Sequence, residues 1–303
     1  MTLAIKPLAD TFAGEVSGLD CAHPLTPDDV AAFEAGMDRF AVLVIRDQRL
    51  SDAEQLAFTL HFGEIEKSGH GSAKGPIHFR TAQQARDLGA GIGDFSNVDG
   101  KGAPLAADSR AYLFKLADRL WHSDSSFRAT PAKYSLLSGR AIPSWGGNTE
   151  FADMRAAYDA LDDRTRAMAE DLVCGHSQMY SREKIGFSEM SEAERLAFTP
   201  VRQRLVRTHP VTGRKSLFLS SHAGTIEGWS LPEARMFLHE LTEFATGPRF
   251  VYAHRWRLND LVIWDNRATM HRGRRFDPAE ARDVRQTRLA GSAPTIEQAI
   301  ITP

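Results

Sequence analysis

His122 and Asp124 are two residues whose types and spacing could do chemistry. Of the eleven histidines, only His122 is followed two positions later by a carboxylate, within the segment WHSDSSF. Residues i and i+2 of an extended chain point to the same side, so both side chains can reach one metal ion without distorting the backbone. A His-x-Asp match also arises easily by chance, so further residues are needed before it indicates a site.

His271 is the best candidate for a third ligand. It follows the apolar, strand-like segment LVIW and lies at a charged turn in WDNRATMHRG. Two imidazoles and one carboxylate on one side of an ion leave three positions open, which suits an iron(II) oxygenase that binds a chelating oxo acid and dioxygen. Zinc accepts the same ligands but needs only one open position, so a zinc hydrolase is an alternative from the residues alone.

Four helices that could support such a site are marked by their first residues. Each has a Ser or Thr that can cap the helix, followed by proline at the next position or by glutamate three positions later. The predicted helices begin at Thr26-Pro27 and run to about Arg39, begin at Ser51 with Glu54 and end near Gly63, begin at Ser191 with Glu194, and begin at Ser230 with Glu233 and end before Gly247. We expect these helices to cover a sheet core.

Short β-type segments fill much of the remaining chain. They alternate apolar and polar residues or are bounded by Gly, Pro or Asp, which is typical of strands. The predicted strands are 41–45, 134–138, 205–209, 216–219, 250–256, 261–264 and 287–290. Many short strands in the C-terminal two thirds favour a mainly β fold with covering helices (α+β) and a double-sheet jelly-roll core. The stretches 69–75 and 89–102 are predicted to be long loops, which often form lids or binding loops.

The composition is that of an ordinary globular protein, and we expect one domain over residues 1–303. The net charge of −2, from 37 basic and 39 acidic residues, gives no reason to expect a nucleic acid or an acidic membrane as partner. The longest clear apolar run, 40–45, is too short to cross a bilayer. The N-terminal segment does not resemble a signal peptide, and Cys21 and Cys174 are the only cysteines. A cytoplasmic protein with reduced thiols is therefore expected.

Four longer segments resemble the taurine dioxygenase superfamily, and within it the alphaproteobacterial form of the 2,4-dichlorophenoxyacetate dioxygenase branch. They are WHSDSSF, GGNTEFADMRAAYDAL, LVRTHPVTGRKSLFLSSHAG and LVIWDNRATMHRGRRFD. The likeness extends from AGEVSGLD near the N-terminus to Leu289, and the order and spacing of the segments match as well as their residues. This resemblance implies a double-stranded β-helix (jelly-roll) fold and iron(II) bound by His122, Asp124 and His271.

The resemblance also implies that α-ketoglutarate is the cosubstrate, held by Thr149 and Arg282 in a pocket lined by Trp264. Thr149 lies 27 positions after His122, Arg282 lies eleven after His271, and Trp264 lies seven before His271, as in the family. The planar guanidinium of an arginine can grip the far carboxylate of a dicarboxylate through two hydrogen bonds. A threonine hydroxyl can add one more.

Two positions depart from the family pattern, at the substrate end of the pocket. Asp118 stands where an asparagine is common, and Gln286 stands where a second arginine is common. Arg285 and Arg288 flank Gln286, so either is a candidate to bind a substrate carboxylate. Which cation does so stays open.

His209 and His222 stand at positions where the herbicide-degrading branch has histidines. His222 is a candidate hydrogen-bond donor to an ether or carboxylate oxygen of the substrate. For His209, a hydrogen-bonded histidine of a strand is the better interpretation.

The resemblance implies that dioxygen and α-ketoglutarate are consumed while an anionic aromatic acid is hydroxylated, with succinate and carbon dioxide as coproducts. For an aryloxyalkanoate such as 2,4-dichlorophenoxyacetate, hydroxylation beside the ether oxygen gives a phenol and glyoxylate. A sulfonate or a natural aromatic acid is an alternative substrate, and a non-catalytic jelly-roll binding protein or a zinc hydrolase is the alternative of another class. Relatives are usually oligomeric, which by analogy predicts a homo-oligomer.

Overall fold

The computed structural model describes residues 3–10, 12–66, 71–72, 75–76, 86, 88 and 90–297. Much of the predicted loop 69–75, and the first residue of the predicted loop 89–102, lie outside these described residues. The remainder of the second loop is described and contains one short strand at residues 93–94.

Seventeen strands, most of them short, and eight α-helices make up the regular structure of the described part. The strands are β1 (Ala4–Pro7), β2 (Gly14–Ser17), β3 (Val42–Ile45), β4 (Gly71–Ser72), β5 (Gly75–Pro76), β6 (Gly93–Asp94), β7 (Tyr134–Ala141), β8 (Thr149–Asp153), β9 (Val173–His176), β10 (Val201–Arg204), β11 (Val206–Thr208), β12 (Lys215–Leu217), β13 (Ala223–Ile226), β14 (Val251–His254), β15 (Leu261–Asp265), β16 (Thr269–Gly273) and β17 (Asp283–Arg288). The helices are α1 (Pro27–Phe40), α2 (Asp52–Leu60), α3 (Arg110–Lys115), α4 (Met154–Asp159), α5 (Asp163–Ala169), α6 (Gln178–Lys184), α7 (Glu192–Ala197) and α8 (Leu231–Ala245). Three 3-10 turns span Leu116–Arg119, Pro248–Phe250 and Thr295–Glu297.

Two sheets form the centre of the fold. The larger has seven strands in the order β1-β2-β3-β15-β7-β17-β6, and the smaller has three in the order β14-β8-β16. Val44, Val262 and Trp264 of the large sheet share one buried cluster with Phe151 of the small sheet. The two sheets therefore pack face to face, which is the predicted jelly-roll arrangement. The large sheet joins strands from both ends of the chain.

Helices cover the outer faces of both sheets. Leu43 and Ile263 point away from the sandwich interior and pack in a second cluster with Phe33 of α1 and Phe58 of α2. This alternation follows from the two-residue period of a strand, which turns successive side chains to opposite faces. The small sheet has its own cover, since Met270 of β16 shares a third cluster with residues of α4 and α8.

All four helices predicted from their first residues are confirmed. The side chains of Thr26, Ser51, Ser191 and Ser230 each accept a hydrogen bond from a main-chain N–H in the first turn of the helix that follows. The second helix ends at Leu60 rather than near residue 63. Helices α3 to α6 were not predicted; they have only six or seven residues, too few for an apolar period to show.

The seven predicted strands are also present, with shifted ends. The largest shift concerns the segment 287–290, which covers only the end of β17, because that strand begins at Asp283. No helix in the described part of the chain is both long and apolar enough to cross a membrane.

Candidate active site

The main chains of His122 and His271 pair with each other. The N–H of His122 donates to the carbonyl of His271 at 2.9 Å, and the N–H of His271 donates back at 2.8 Å. His271 belongs to β16, and this isolated bridge adds the segment of His122 beside it. As a result the two imidazole rings lie with their centroids 4.2 Å apart.

Asp124 completes a cluster of three possible metal ligands. Its Oδ1 atom lies 3.9 Å from Nε2 of His122 and 3.8 Å from Nε2 of His271. The three ligand atoms lie within 4.8 Å of one another, and all three residues are buried. Metal–ligand bonds of about 2.0–2.2 Å allow such separations, so the three side chains fit one divalent ion.

Neighbouring polar side chains hold Asp124 in place. Its Oδ2 atom accepts hydrogen bonds from Ser135 Oγ at 2.7 Å and Gln286 Nε2 at 2.9 Å. Its main-chain N–H donates to Asn266 Oδ1 at 3.1 Å, and Asn266 Nδ2 donates to Ser135 Oγ. Such supporting hydrogen bonds orient a ligand before the metal binds.

The charges around Asp124 favour its ionised form. Burial alone raises the pKa of this carboxyl, but nearby His271, Arg288 and His122 and the hydrogen bond from Ser135 outweigh burial, so the pKa lies below its usual range. Burial, together with the proximity of His122, lowers the pKa of His271 to about 3. A carboxylate and a neutral imidazole are the forms that bind a metal ion.

The two imidazoles are held differently. His122 Nδ1 lies 2.8 Å from the carbonyl oxygen of Leu120, which turns Nε2 toward Asp124. His271 is fixed by packing instead, because its ring lies against the rings of Trp264 and Phe151, with centroids 4.6 and 6.1 Å away. Trp264 is fully buried behind His271 and is not among the residues that line the cavity described next, so it does not line the pocket as predicted.

One cavity connects the metal-ligand cluster with both predicted cosubstrate residues. Its wall includes His122, His271, Thr149 and Arg282. The Thr149 hydroxyl accepts a hydrogen bond from Trp256 Nε1 at 3.0 Å, which leaves its own proton free for a ligand.

The side chain of Arg282 passes over a tight turn. Its Nη2 donates to the carbonyl of Gly147 at 3.3 Å. Gly147 has φ +68°, and a Cβ added there would lie 3.3 Å from Arg282 Nε. The main-chain N–H of Arg282 donates to Asn97 Oδ1 at 2.7 Å, so both ends of the residue are held.

Among the described residues, Arg282 is a cation without a carboxylate in ion-pair distance. Burial lowers the pKa of its guanidinium to about 10, and only the more distant Asp118 opposes this effect. At neutral pH the group therefore stays charged. A half-buried charge of this kind is stabilised when an anion binds beside it.

The two substrate-site histidines of the sequence analysis have separate surroundings. His222 is buried, with its ring centroid 6.0 Å from that of His122 and 5.0 Å from that of Phe127. Burial, with Arg182 nearby, holds the pKa of His222 well below its usual range, and its Nδ1 has no hydrogen-bond partner in the described part of the chain. His209 instead bonds Asp265 Oδ2 at 3.1 Å and accepts from two main-chain N–H groups, which is the role of a structural histidine.

The two arginines predicted to bind a substrate carboxylate lie outside the cavity wall. Arg285 donates to Asp283 and to Asp52 at 3.0 and 2.9 Å. Arg288 pairs with Glu66 at 3.1 Å. Both cations therefore already have carboxylate partners.

The sequence did not predict the roles of several residues around the site. Ser135 and Asn266 gave no signal, because their role depends on which strands lie side by side. Gln286 was noticed only as the absence of an arginine. Arg119, which lines the cavity three positions before His122, was also missed.

Comparison with known proteins places this geometry in a family. The family described as "Taurine catabolism dioxygenase TauD, TfdA family" matches residues 4–288. The chain belongs to this dioxygenase family. It is thus an enzyme of the Fe(II)- and α-ketoglutarate-dependent dioxygenase class, which confirms the predicted enzyme class and fold.

Individual relatives agree with this assignment. The dioxygenase is 42% identical to an α-ketoglutarate-dependent 2,4-dichlorophenoxyacetate dioxygenase of Cupriavidus pinatubonensis, over 99% of this chain and 100% of the relative. It is 34% identical to an (S)-phenoxypropionate/α-ketoglutarate-dioxygenase of Delftia acidovorans, over 99% of both chains. A crystal structure of AAD-2 in complex with Mn(II) and N-oxalylglycine is 54% identical, covers 98% of this chain and 100% of that chain, and superimposes with a TM-score of 0.89.

Proposed function

We propose that this dioxygenase hydroxylates the ether-side carbon of an aryloxyalkanoate, using iron(II) at His122, Asp124 and His271 and α-ketoglutarate at Thr149 and Arg282. The observation that carries the proposal is one cavity whose wall contains His122 and His271 of the metal-ligand cluster together with Thr149 and Arg282. The relatives named for 2,4-dichlorophenoxyacetate and phenoxypropionate supply the substrate class.

The cosubstrate assignment follows from charge and reach. An oxo acid that chelates the metal needs a cation at its far carboxylate, and Arg282 is a charged, half-buried arginine without a carboxylate hydrogen-bonded to it in the described part. The Thr149 hydroxyl lies in the same wall and has a proton to donate. N-oxalylglycine, bound in the AAD-2 structure, carries two carboxylates and an oxo group like α-ketoglutarate.

When bound, iron(II) together with dioxygen and the oxo acid supplies the oxidising chemistry. The contribution of the protein is to place one substrate C–H bond beside the metal and to keep water away. Hydroxylation of the carbon beside the ether oxygen yields a hemiacetal, which collapses to a phenol and, for an aryloxyacetate, glyoxylate. No protein acid or base is required for the oxidation itself.

The cavity wall offers apolar surface for an aromatic ring. It is formed in large part by the side chains of Phe95, Leu105, Leu116, Leu137, Phe276 and Val284. Such surface can bury a ring, whereas a small aliphatic sulfonate such as taurine gains little from it. This observation favours an aromatic acid over taurine.

Arg119 is the cation we propose for the substrate carboxylate. Lys115 donates to the carbonyls of Asp94 and Ser96, and Arg274 lies 3.5 Å from a carboxylate oxygen of Glu150. The guanidinium of Arg119 has no hydrogen bond or ion pair with the described residues, and the residue lines the cavity. His222, beside His122, is kept as a proposed hydrogen-bond donor to the substrate.

Succinate release with a substrate panel tests the proposal. Purified enzyme with iron(II), α-ketoglutarate and ascorbate is offered phenoxyacetate, 2,4-dichlorophenoxyacetate, both enantiomers of phenoxypropionate, an alkyl sulfate and taurine. We expect succinate and a phenol in equal amounts from at least one aryloxyalkanoate. Turnover restricted to taurine or the alkyl sulfate contradicts the substrate class but leaves the cosubstrate assignment standing.

Three further features do not depend on the geometry of the site. We propose one domain over residues 1–303, a homo-oligomer, and a cytoplasmic location. The location is supported by Cys21 and Cys174, which are both buried free thiols. Light scattering of the purified protein measures the oligomer, and limited proteolysis measures the number of stable domains.

A further inference from the structure

Gln286 lines the cavity, and its amide is hydrogen-bonded to Asp124, one of the three metal ligands. It lies on β17, paired in register with Leu137 of β7, in the strand next to the edge strand β6 of the large sheet. Its side chain is buried and lines the cavity.

The amide of Gln286 has one possible orientation. Ionised Asp124 can only accept hydrogen bonds, so the atom 2.9 Å from Asp124 Oδ2 must be the amide nitrogen. Ser135 Oγ donates to the same oxygen at 2.7 Å. With Oδ2 occupied by two donors, Oδ1 is left to face the Nε2 atoms of the two histidines.

The carbonyl oxygen of the Gln286 amide lies in different surroundings from its nitrogen. Gln286 Oε1 is buried and has no hydrogen-bond partner in the described part of the chain. A carbonyl oxygen next to Asp124 attracts a hydrogen-bond donor and repels a carboxylate. An anionic substrate therefore has its charged end away from Gln286, on the side of the cavity where a cation is available.

We propose that Gln286 is a positioning residue that, with Ser135, holds Asp124 as a ligand through one oxygen and excludes the substrate carboxylate from its own side of the cavity. The role of Gln286 in holding Asp124 rests on the proposed metal site alone, whereas its role in excluding a carboxylate also rests on the proposed anionic substrate. The test of the first role is therefore a metal-binding measurement that requires no turnover.

Titration of the metal-free protein with Mn(II), followed by electron paramagnetic resonance, measures the affinity. Gln286→Leu removes the donor at similar volume, and Gln286→Asn keeps the amide but shortens its reach. We expect both to weaken Mn(II) binding by about 10–100-fold, the usual effect of losing a residue that supports a ligand. Gln286→Arg restores a donor, and we expect its affinity to stay within about threefold of the wild type.

Gln203→Leu is the matched control. Gln203 is as buried as Gln286, but its amide donates to the carbonyls of Ser126 and Arg128 instead of a metal ligand. It should lower the melting temperature without changing the Mn(II) affinity. If folded Gln286→Leu or Gln286→Asn binds Mn(II) as tightly as the wild type, or if Gln203→Leu weakens binding equally, the proposal is overturned.

If the wild type does not turn over aryloxyalkanoates, the Mn(II) affinities are unaffected. The failure of the substrate proposal and the failure of this inference are therefore distinguishable. Substrate kinetics of Gln286→Arg test the second half. If Gln286→Arg turns over anionic substrates with the same KM and the same ratio of phenol to succinate as the wild type, Gln286 does not influence where the carboxylate binds.

Discussion

His122 and His271 are hydrogen-bonded to each other through both of their main chains, at 2.9 and 2.8 Å. The two residues are therefore held side by side by the pairing of two extended segments, and side-chain contacts then orient the two imidazoles. Asp124, two residues further along the first segment, turns to the same side. The three ligand positions are thus built into the backbone of the sandwich.

Removing one ligand should abolish the metal site. We expect His122→Ala to weaken Mn(II) or Fe(II) binding by more than about a hundredfold, since changes to residues that only support a ligand already cost about 10–100-fold. Equilibrium dialysis with metal analysis measures this effect. His239→Ala is the control, because His239 is exposed on α8 beside Glu243. Stoichiometric, tight metal binding by His122→Ala would rule out the ligand assignment.

Arg282 and Arg285 should respond differently to the same change. Arg282→Met removes the cation proposed for the far carboxylate of α-ketoglutarate, and we expect the KM for α-ketoglutarate to rise by about a hundredfold, as for a charge-assisted hydrogen bond worth about 1.5–3 kcal/mol. Arg285→Met breaks ion pairs with Asp52 and Asp283 outside the cavity. It should lower stability slightly and leave that KM unchanged; the reverse pattern would contradict the assignment.

Arg119→Gln should discriminate between charged and neutral substrates. We expect the KM for an aryloxyacetate to rise by about tenfold or more, because one charge-assisted contact is lost. The KM for the corresponding methyl ester should stay the same, and so should the weak visible band that forms with iron(II) and α-ketoglutarate. Arg202→Gln, at an exposed pair with Glu227, is the matched control. Equal effects on acid and ester would show that Arg119 does not bind the carboxylate.

His176 should make stability depend on pH. It is fully buried and stacked on Phe218, and neither ring nitrogen has a partner in the described part. Burial, with Lys184 nearby, lowers its pKa to about 3, whereas the unfolded chain titrates near 6.5. Between these values only the unfolded chain takes up the proton, so stability is complete above about pH 6.5 and falls toward pH 3.

Thermal unfolding at a series of pH values tests the role of His176. The loss reaches up to about 1.4 kcal/mol for each pH unit below 6.5. We expect His176→Leu to flatten the fall in melting temperature between pH 7 and pH 5, while His239→Leu keeps the slope of the wild type. Parallel curves for the wild type and His176→Leu would mean that His176 does not contribute to the fall in stability.

Much of the site could be predicted because its residues are linked by local spacing. His122 and Asp124 follow from the two-residue period, and the helix starts follow from capping at Thr26, Ser51 and Ser191. The supporting network could not be predicted, because the contact of Asp124 with Ser135 depends on long-range packing between strands.

The period of β17 explains why Arg285, a predicted partner of the substrate carboxylate, lies outside the cavity wall. Arg282, Val284 and Gln286 alternate along this stretch and all line the cavity, whereas Arg285 lies between them and points to the outer face near α2. Applying the two-residue period from buried Val284 would therefore have predicted that Gln286 points to the cavity. Arg288 lies two residues after Gln286 and is expected on the same face of the strand. Its ion pair with Glu66 is a long-range contact that no local pattern predicts.

The turn at Gly147 has a consequence for how this enzyme could change over time. A side chain there would be strained by the positive φ and would press on the guanidinium of Arg282. The position of the Arg282 guanidinium, and with it the extent of the proposed oxo acid site, therefore depends on a residue that has no side chain. Selection for a shorter or longer cosubstrate could act on this loop while every polar group that binds it stays the same.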